Sequence, residues 1–552
     1  MTLTKNSKMR LCIVLFLFIT LYIIALVHLY ILQIHQNNFF MDMGKQQYNV
    51  TVTQKPPRAE IFDRHGQPLA MNKDTLAAFI IPNKLQDKIH LKKFLAQHFP
   101  QALERLNNLN NNSAAHFMYI KRRLSPEQIA LIKRSNLSDI QFLNEPSRFY
   151  PVESAGTLIG ITDSDNEGLF GIELQCNKTL AGTPSTYSLE QEARSGHFYF
   201  KRETKVQGVT GTPITLTIDA DLQFLAYQEL KETVELYNSS EGSVIILDPT
   251  TGDILVMANY PDFDPNHTES IDLEKTKNKI ITDVHEFGSV MKVFPAIAAL
   301  EEGVVTPDEL IDCENTKTTY IDGIKINTWK GHGTLTYAQV IELSNNIGTS
   351  KVTKRLGPVL YDHLRRFGFA QKTNIPFPGE QKGFINPPPK WSKQSLFSLS
   401  FGYELNATLL QLASAFGIIA NNGYSVKPRL LLQQDIPKKG LALYSAPTMA
   451  IIRDMLQKTV TEGTAHKAHI EGYTVMGKTG TANLLINGQY APEHNIFTFA
   501  GIVEKDAYKR VIVTFIKEAN KKNIYASTVA APLFERIAQK MLIHDKEFIN
   551  PQ

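Results

Sequence analysis

The chain has 552 residues, of which 43% are hydrophobic and 20% charged, and its formal net charge is +4. This length exceeds the usual size of one hydrophobic core, so at least two folded units are expected, and the near balance of charge excludes the basic character of nucleic-acid-binding proteins. The three cysteines lack CxxC spacing, which excludes the sequence pattern of a zinc site and leaves a bond between Cys176 and Cys313 open.

The first predicted element is a transmembrane helix from Leu11 to Leu32. This run contains no Asp, Glu, Lys or Arg, and at ~1.5 Å per residue it can span the ~30 Å hydrocarbon core of a membrane. A cleaved signal peptide is the alternative, but such peptides have a shorter apolar core that ends in small residues, whereas this run ends in the bulky segment 27–32. We therefore expect a retained, single-pass anchor.

The charges beside this helix predict its orientation. Lys5, Lys8 and Arg10 precede it, and the next Lys or Arg is Lys45. By the positive-inside rule, residues 1–10 form a cytoplasmic tail, the helix lies in the cytoplasmic (inner) membrane, and the remainder is periplasmic or extracellular.

Residues 33–212 are predicted to form a separate, extended module of mixed sequence, with an Asn-rich stretch around residues 107–112 and no internal repeat. Near its start, residues 58–66 predict a short strand and a turn in which Gly66 suits a positive φ. Taken alone, Arg148 is interpreted as a surface or salt-bridge residue rather than a ligand contact.

Residues 213–548 are predicted to form a second module in which strands from both ends build one sheet with helices packed on it. The predicted strands are Pro213–Ile218, Ser243–Leu247, Ile254–Ala258, Phe497–Val503 and Val511–Ile516. The predicted helices are Leu222–Tyr237 and Thr528–Ile543.

Three short motifs carry the chemistry of the second module. They are Ser289-Val290-Met291-Lys292, Ser344-Asn345-Asn346 and Lys478-Thr479-Gly480, in that order. The first supplies a serine nucleophile with a lysine base, the second a hydroxyl and an amide for proton relay, and the third a cationic anchor for a substrate carboxylate. Together they predict an acyl-transfer site.

The first motif predicts how the serine is activated. A helix places residues i and i+3 on one face, so Lys292 can reach back to the hydroxyl of Ser289, although Pro295 bends this helix or confines the serine to its first turn. The apolar neighbours predict burial, which leaves a neutral lysine amine to accept the serine proton. Gly288 permits close backbone approach at the helix start, where free amides can stabilise an oxyanion.

The other two motifs differ in how easily chance produces them. Ser164-Asp165-Asn166 also fits the SxN pattern, but it precedes the nucleophile and lies between glycines in a predicted turn, so we interpret it as structural. The KTG motif at 478–480 follows the apolar run 473–476 and predicts an edge strand whose glycine lets a substrate backbone lie close.

Class A β-lactamases and penicillin-binding proteins share these three motifs, and nearly the whole chain after the anchor resembles the class B penicillin-binding proteins. The segments similar to the opening of their transpeptidase domain are Gly242–Ala258, Tyr260-Pro261 and Asp264–Asn266. Those similar to the cell-division (FtsI-like) branch are Ile281–Val284, Phe401–Tyr403 and Thr408–Ala413. Those similar to the pedestal motifs are Asp63-Arg64, Arg148–Pro151 and Gly171–Glu173.

The resemblance implies an α+β fold, with a penicillin-binding-protein/serine β-lactamase-like transpeptidase domain (an antiparallel sheet with flanking helices) preceded by a transmembrane helix and a pedestal domain of the dimerisation type. It implies a D,D-transpeptidase that cross-links peptidoglycan through a serine acyl-enzyme and needs no metal or organic cofactor. The implied partners are stem peptides ending in D-Ala-D-Ala, β-lactam antibiotics, a polytopic membrane glycosyltransferase and other division proteins.

Carried over by position, the resemblance gives the first two motifs their roles. Ser289 attacks the D-Ala-D-Ala carbonyl and Lys292 accepts its proton. Ser344 relays a proton toward the leaving D-alanine, and Asn346 orients the donor peptide.

The resemblance assigns the third motif to substrate binding and to the oxyanion hole. Lys478 supplies positive potential, while Thr479 and Thr481, on either side of Gly480, bind the terminal carboxylate. The backbone amides of Ser289 and Thr481 form the oxyanion hole.

Three positions depart from the family pattern. Phe287 stands where proline is usual, Val290 replaces a common threonine, and Ala59 stands where the pedestal motif usually has glycine. None of these departures removes a catalytic group, so they bear on the β-lactam entrance and on the pedestal contacts.

Three other functions compete with septal transpeptidation. A serine β-lactamase would need neither an anchor nor a pedestal, and a non-catalytic penicillin-recognising scaffold or sensor would not keep every catalytic position. A lateral-wall transpeptidase of the same family is the third, and the division-type segments favour the septum over it.

Overall fold

The computed structural model describes residues 5–39, 43, 49–109, 117–191, 198–268, 271–433, 440–519 and 524–546. Residues 1–4 of the predicted tail, residues 110–112 of the Asn-rich stretch and the predicted boundary at 548 lie outside the described residues. Two compact units are formed, one by residues 1–57 with 181–211 and the other by residues 58–180 with 212–552. The module boundaries at residues 33 and 212 stay predictions.

Helices and strands alternate along most of the described chain. The α-helices, α1 to α17, are Lys5–Tyr30, Lys88–His98, Pro100–Leu109, Pro126–Arg134, Gly156–Ile159, Gly171–Gln175, Asn177–Ala181, Ala220–Leu236, Lys279–Thr282, Val293–Glu301, Tyr337–Glu342, Asn346–Leu356, Val359–Arg366, Ser395–Ser400, Leu409–Ala420, Ala446–Thr461 and Ala530–His544. The strands, β1 to β19, are Asn49–Gln54, Ile61–Phe62, Pro68–Ile80, Met118–Lys121, Gln141–Phe149, Ser185–Gln191, Phe198–Val206, Ile214–Thr215, Glu241–Leu247, Ile254–Tyr260, Leu310–Asp312, Thr318–Ile321, Ile324–Asn327, Thr334–Thr336, Phe384–Ile385, Leu405–Asn406, Thr474–Ile486, Gln489–Lys505 and Tyr508–Lys517.

The first unit contains the N-terminal helix and a small sheet. Helix α1 continues as a π-helix over Ile31–His35, and the span Met9–His35 is long and apolar enough to cross a membrane while lying unburied. Exposed apolar side chains over such a length suit lipid rather than water, so the helix fits the predicted single-pass anchor. Strands β1, β6 and β7 pair antiparallel in the order β1-β6-β7.

The second unit begins with a sheet of order β4-β3-β2-β8, to which β5 adds by pairing with β3. A buried ion cluster supports this part of the chain. The Glu173 carboxylate accepts hydrogen bonds from Arg58 Nε at 2.6 Å and from Arg148 Nε at 2.7 Å, and all three side chains are buried. Buried charges need such partners, and Arg148 is therefore a buried salt-bridge residue.

The central sheet of the second unit is antiparallel throughout, in the order β10-β9-β19-β18-β17. Its strands come from both ends of the unit's C-terminal part, as predicted, but the predicted strand Pro213–Ile218 is not among them. That segment forms only the two-residue strand β8, which pairs parallel with β2 in the other sheet. The order makes β17 an edge strand, which also agrees with the prediction for the KTG motif.

Helices cover both faces of this sheet, and the alternation of side chains along β9 shows how. Val244 and Ile246 belong to a core shared with α8 and α17, whereas Ile245 and Leu247 pack in the other core, which contains α15. All twelve residues of α15 are buried, as expected for a helix that is apolar all round. The predicted α+β fold with flanking helices is confirmed.

The predicted element bounds differ from the observed ones at a few ends. Helix α8 begins two residues before Leu222 because Asp219 caps it, accepting a hydrogen bond from the backbone N–H of Leu222 at 3.0 Å. Strand β18 begins at Gln489, because its polar first half pairs with the end of β17. The thiols of Cys176 and Cys313 are free, which settles the pairing left open by the sequence.

Candidate active site

The nucleophile motif lies in a 3-10 turn, Gly288–Lys292, that runs directly into helix α10. Gly288 has φ +58°, and a Cβ there would lie 2.6 Å from the carbonyl oxygen of Thr481, so only glycine fits this contact. Pro295 falls in the first turn of α10, where its missing N–H removes no helical hydrogen bond. The half-buried Ser289 therefore precedes the α-helix and sits in the tighter turn.

Lys292 is fully buried and reaches the second motif rather than the first. Its Nζ donates to Ser344 Oγ at 2.9 Å and to the Ser344 carbonyl oxygen at 2.6 Å. A 3-10 turn stacks residues i and i+3, so Lys292 starts from the same face as Ser289. Within the described part of the chain, however, no hydrogen bond joins Lys292 to the hydroxyl of Ser289, contrary to the simplest form of the prediction.

Ser344 lies between helices α11 and α12 in a left-handed conformation, with φ +58°. Such a conformation is uncommon for a residue with a Cβ and persists only where neighbours enforce it. Here it follows the C-cap of helix α11, where the backbone N–H groups of Ser344 and Asn345 donate to the carbonyls of Ile341 and Val340 at 3.2 and 2.9 Å. The side-chain oxygen of Asn345 then caps α12 by accepting from the backbone N–H of Gly348 at 2.9 Å.

Asn346 is held by two hydrogen bonds to residues 327 and 328. Its Nδ2 donates to the carbonyl oxygen of Asn327 at 2.6 Å, and its backbone N–H donates to Thr328 Oγ1 at 3.3 Å. The side-chain oxygen of Asn346 is left as the group available to orient a substrate N–H.

The third motif lies on the edge strand β17 beside the nucleophile turn. A Cβ on Gly480 would lie 2.3 Å from the carbonyl oxygen of Phe287 and 2.8 Å from Val290 Cγ2. The glycine therefore lets the strand approach the turn that carries Ser289, and the close approach of a substrate backbone stays a prediction.

Lys478 completes a cluster around one hydroxyl. Its Nζ donates to Ser344 Oγ at 3.0 Å and to the Thr479 carbonyl oxygen at 3.2 Å, so the amines of Lys292 and Lys478 meet at the same oxygen. The hydroxyl of Thr479 lies 3.2 Å from that of Thr464, and Thr481 Oγ1 accepts from the backbone N–H of Ala526 at 3.2 Å.

Burial sets the electrostatics of the two lysines. Burial, reinforced by the nearby Lys478, holds the pKa of Lys292 well below its ordinary value, and burial lowers the pKa of Lys478 to about 7. Two adjacent amines in a low-dielectric site cannot both carry charge cheaply. Lys292 is therefore the amine that loses its proton more readily, which is the direction predicted from its burial, and Lys478 is the one that keeps its charge to higher pH.

The structure thus brings Lys292, Ser344 and Lys478 into direct contact and places β17 against the turn of Ser289. The alternative SxN match lies elsewhere in the fold. Its residue Asn166 has φ +62° and accepts a hydrogen bond from Arg123 at its side chain, and its carbonyl oxygen accepts one from Arg58. This turn is structural, as interpreted from the sequence.

Some residues of the site had no sequence signal. Thr464 reaches Thr479 from the loop after α16, and His332 contacts Asn345 at 3.2 Å. Both are separated from their partners by more than ten residues and match no motif, so only the folded chain shows them.

A helix-flanked antiparallel sheet that joins a serine turn to two buried lysines and a second serine defines a serine acyltransferase. Comparisons with known proteins agree. The family described as "Penicillin binding protein transpeptidase domain" matches residues 242–539, and "Penicillin-binding Protein dimerisation domain" matches residues 53–216. The chain belongs to the penicillin-binding protein transpeptidase family.

Named relatives cover most of the chain. The probable peptidoglycan D,D-transpeptidase PbpC of Pseudomonas aeruginosa is 30% identical over 539 residues, covering 97% of this chain and 94% of that protein. The peptidoglycan D,D-transpeptidase FtsI of Escherichia coli is 30% identical over 490 residues, covering 87% and 82%. The crystal structure of penicillin-binding protein 3 from Mycobacterium tuberculosis with aztreonam is 26% identical, with TM-score 0.70, and covers 91% of this chain and 98% of that one.

Proposed function

We propose that this chain is a membrane-anchored, serine-type peptidoglycan D,D-transpeptidase that cross-links stem peptides in septal wall synthesis and is acylated by β-lactams. The observation that carries the proposal is the meeting of Lys292 Nζ and Lys478 Nζ at Ser344 Oγ, 2.9 and 3.0 Å away. A neutral amine, a relay hydroxyl and a cation at one point are what acyl transfer from a peptide with a free carboxylate requires.

In the first half of the reaction, Ser289 Oγ attacks the carbonyl carbon of the penultimate D-alanine, and its proton passes to the neutral amine of Lys292. The backbone N–H groups of Ser289 and Thr481 stabilise the developing oxyanion. The peptide bond then breaks, and Ser344 Oγ relays a proton from Lys292 to the nitrogen of the departing D-alanine. The acyl group remains on Ser289 as an ester.

Substrate binding uses the edge strand. Lys478 attracts the terminal carboxylate, the hydroxyls of Thr479 and Thr481 donate to it, and Gly480 keeps the strand against the serine turn. The side-chain oxygen of Asn346 orients the donor peptide by accepting a backbone N–H.

In the second half, the amine of another stem peptide attacks the ester, and the same proton path runs in reverse. The new amide bond is the cross-link, and Ser289 regains its proton. A β-lactam carries a strained amide and a carboxylate in a similar arrangement, so it acylates the same serine but lacks a separate leaving amine.

The proposed location and partners rest on the N-terminal helix and on the family. The charges of Lys5, Lys8 and Arg10 support a cytoplasmic N-terminus with the catalytic unit outside the inner membrane. A transpeptidase needs fresh glycan strands, so we assign it a polytopic glycosyltransferase partner among the division proteins.

The test is covalent labelling of the full-length protein in detergent with a fluorescent penicillin, followed by denaturing electrophoresis and peptide mapping. The wild type should give a long-lived adduct on the peptide containing Ser289, and Ser289→Ala should give none while keeping its thermal unfolding temperature. Ser164→Ala, in the alternative SxN match, is the matched control and should label like the wild type.

Each other result has a definite meaning. A labelled Ser289→Ala protein would show that another residue is the nucleophile. Absence of an adduct on folded wild type would favour a non-catalytic scaffold, and rapid drug loss without a persistent adduct would indicate a β-lactamase.

A further inference from the structure

A short segment, residues 327–332, packs against the turn that carries Ser344, and we call it the strap. On one side, the backbone N–H of Thr328 donates to the Lys317 carbonyl at 2.9 Å, and the His332 carbonyl accepts from the backbone N–H of Asn315 at 2.7 Å. These bonds fasten the strap to the neighbouring hairpin.

On its other side, the strap contacts residues 343 to 346 through four side-chain hydrogen bonds. Two of them, from Asn346 to Asn327 and Thr328, were described above. In the third, Trp329 Nε1 donates to the Leu343 carbonyl at 3.0 Å. The fourth joins His332 Nδ1 to Asn345 Nδ2 at 3.2 Å, so both neighbours of Ser344 in the chain are held by the strap.

The fourth bond fixes the protonation state of His332. The side-chain oxygen of Asn345 already accepts from Gly348 N–H to cap α12, so the amide nitrogen of Asn345 must face the imidazole. An amide nitrogen only donates. His332 Nδ1 must therefore be the acceptor, which it can be only in the neutral imidazole with its proton on Nε2.

We propose that His332 is a positioning residue for the transpeptidase: its neutral ring holds Asn345, and through Asn345 the strained Ser344, at the two lysine amines. Protonation of His332 would set an N–H against the amide of Asn345, loosen the Ser344 turn and slow acylation of Ser289. The inference rests on the proposed function and adds to it a residue outside the three motifs.

The surroundings of His332 agree with a neutral ring. Burial and the neighbouring cation of Lys330 lower its pKa from the ordinary value. The charged side chain on the adjacent segment is Glu314, whose backbone pairs with that of His332, and its carboxylate is bound to Lys351 at 2.7 Å. The carboxylate of Glu314 is thus already paired with a lysine.

The decisive variant is His332→Asn, because the asparagine side-chain oxygen can occupy the place of Nδ1 and accept from Asn345 but cannot be protonated. The measurement is the second-order rate constant of acylation by the fluorescent penicillin, for full-length wild type and variant, across the acid range. The useful quantity is the rate constant of the variant divided by that of the wild type. Any pH dependence that both proteins share, such as the protonation of Lys292, cancels in this ratio.

We expect this ratio to be near one at about pH 7.5 and to rise toward acid pH, reaching about fivefold where His332 of the wild type is protonated, as expected for loss of one ordinary hydrogen bond in the wild type alone. His332→Phe, which removes the acceptor at every pH, should acylate about five- to tenfold more slowly than wild type at about pH 7.5, and this difference should shrink toward acid pH, where the wild type loses the acceptor too. His90→Asn, at an exposed histidine paired with Asp87, is the control and should leave the ratio flat.

A residue that served only the stability of the fold would lower the rate or the unfolding temperature of His332→Asn without making the ratio depend on pH. A flat ratio with a labelled wild type would therefore overturn the role of His332 and leave the proposed function standing. A wild type that forms no adduct would overturn both.

Discussion

Two lysine amines meet at one serine hydroxyl, and their roles require opposite protonation states. Lys292 must be neutral to accept a proton, and Lys478 must be charged to attract a carboxylate. Burial lowers the pKa of both, well below the ordinary value for Lys292 and to about 7 for Lys478. The charge of Lys478 further lowers the pKa of Lys292, so Lys292 loses its proton first, and this order allows one site to hold a base and a cation together.

This order predicts a bell-shaped pH dependence of acylation by a penicillin. As pH falls through the pKa of Lys292, the amine gains a proton and ceases to be a base, so the rate falls. As pH rises through about 7, Lys478 loses its charge and the carboxylate of the drug loses its anchor. The measurement is the second-order acylation rate constant of the free enzyme against pH.

The control for this prediction changes the drug instead of the protein. A β-lactam whose carboxylate is esterified has nothing for Lys478 to attract, so its rate should keep the acid limb and lose the alkaline one. If both drugs showed the same alkaline limb, that limb would not belong to Lys478.

At this scale, the sequence marks the motif side chains that the structure brings close together, whose roles stay predictions, and it does not mark the residues that support them. Ser289, Lys292 and Lys478 stand in short motifs beside apolar runs, and the neutral state of Lys292 follows from its burial. His332 and Thr464 act through contacts that close only when distant segments fold together, so no local pattern marks them. The partner of Lys292 was also missed, because a long side chain can reach either serine.

Among the elements, strand β17 and the serine turn depend on each other. The carbonyl of Phe287 and the side chain of Val290 fill the space where Gly480 would carry a Cβ, and the carbonyl of Thr481 fills that space at Gly288. The strand and the turn each have a glycine at their contact, and both glycines are needed for the two elements to approach this closely.

Gly480→Ala should therefore separate the strand from the turn. A Cβ 2.3 Å from a carbonyl oxygen forces a shift, and a misplacement of about 1 Å lowers acylation by about 100-fold. Overpacking of this kind costs about 1–3 kcal/mol of folding stability, so the variant should still fold. The measurements are the acylation rate and the thermal unfolding temperature.

Gly333→Ala is the matched control for this element. A Cβ at Gly333 meets no atom within 4 Å, so it should leave both quantities close to wild type. An acylation rate for Gly480→Ala equal to that of the control would contradict the close packing of β17 on the turn.

Element bounds were predictable where burial gave a pattern. Strands β9, β10 and β19 follow their apolar runs closely, whereas the first half of β18 is exposed and polar. The first half of β18 is a strand because it pairs with β17, and the composition of the segment does not predict this pairing.

Across the whole molecule, the helix Met9–His35 and the catalytic residues belong to different compact units. The helix should decide where the protein is found, and the second unit should decide what it does. Removing residues 1–40 should move the protein from the membrane fraction to the soluble fraction, because the apolar span is the part that needs lipid.

The same truncated protein should keep its acylation rate by a soluble penicillin within about threefold, since no group of the site is removed. Fractionation by centrifugation and covalent labelling measure the two properties separately. A truncated protein that stayed with the membrane would show a second attachment to it, and one that lost labelling would show that the site depends on the first unit.

The strand order of the central sheet has a consequence for biosynthesis. Strand β17 with Lys478 joins β9 only through β18 and β19, so the sheet cannot close until residue 517 has emerged. Ser289 is therefore synthesised long before the active site can be complete. Strand pairings between residues this distant in sequence also form slowly. On unfinished chains a β-lactam would find no complete acylation site, so the covalent label counts only finished molecules.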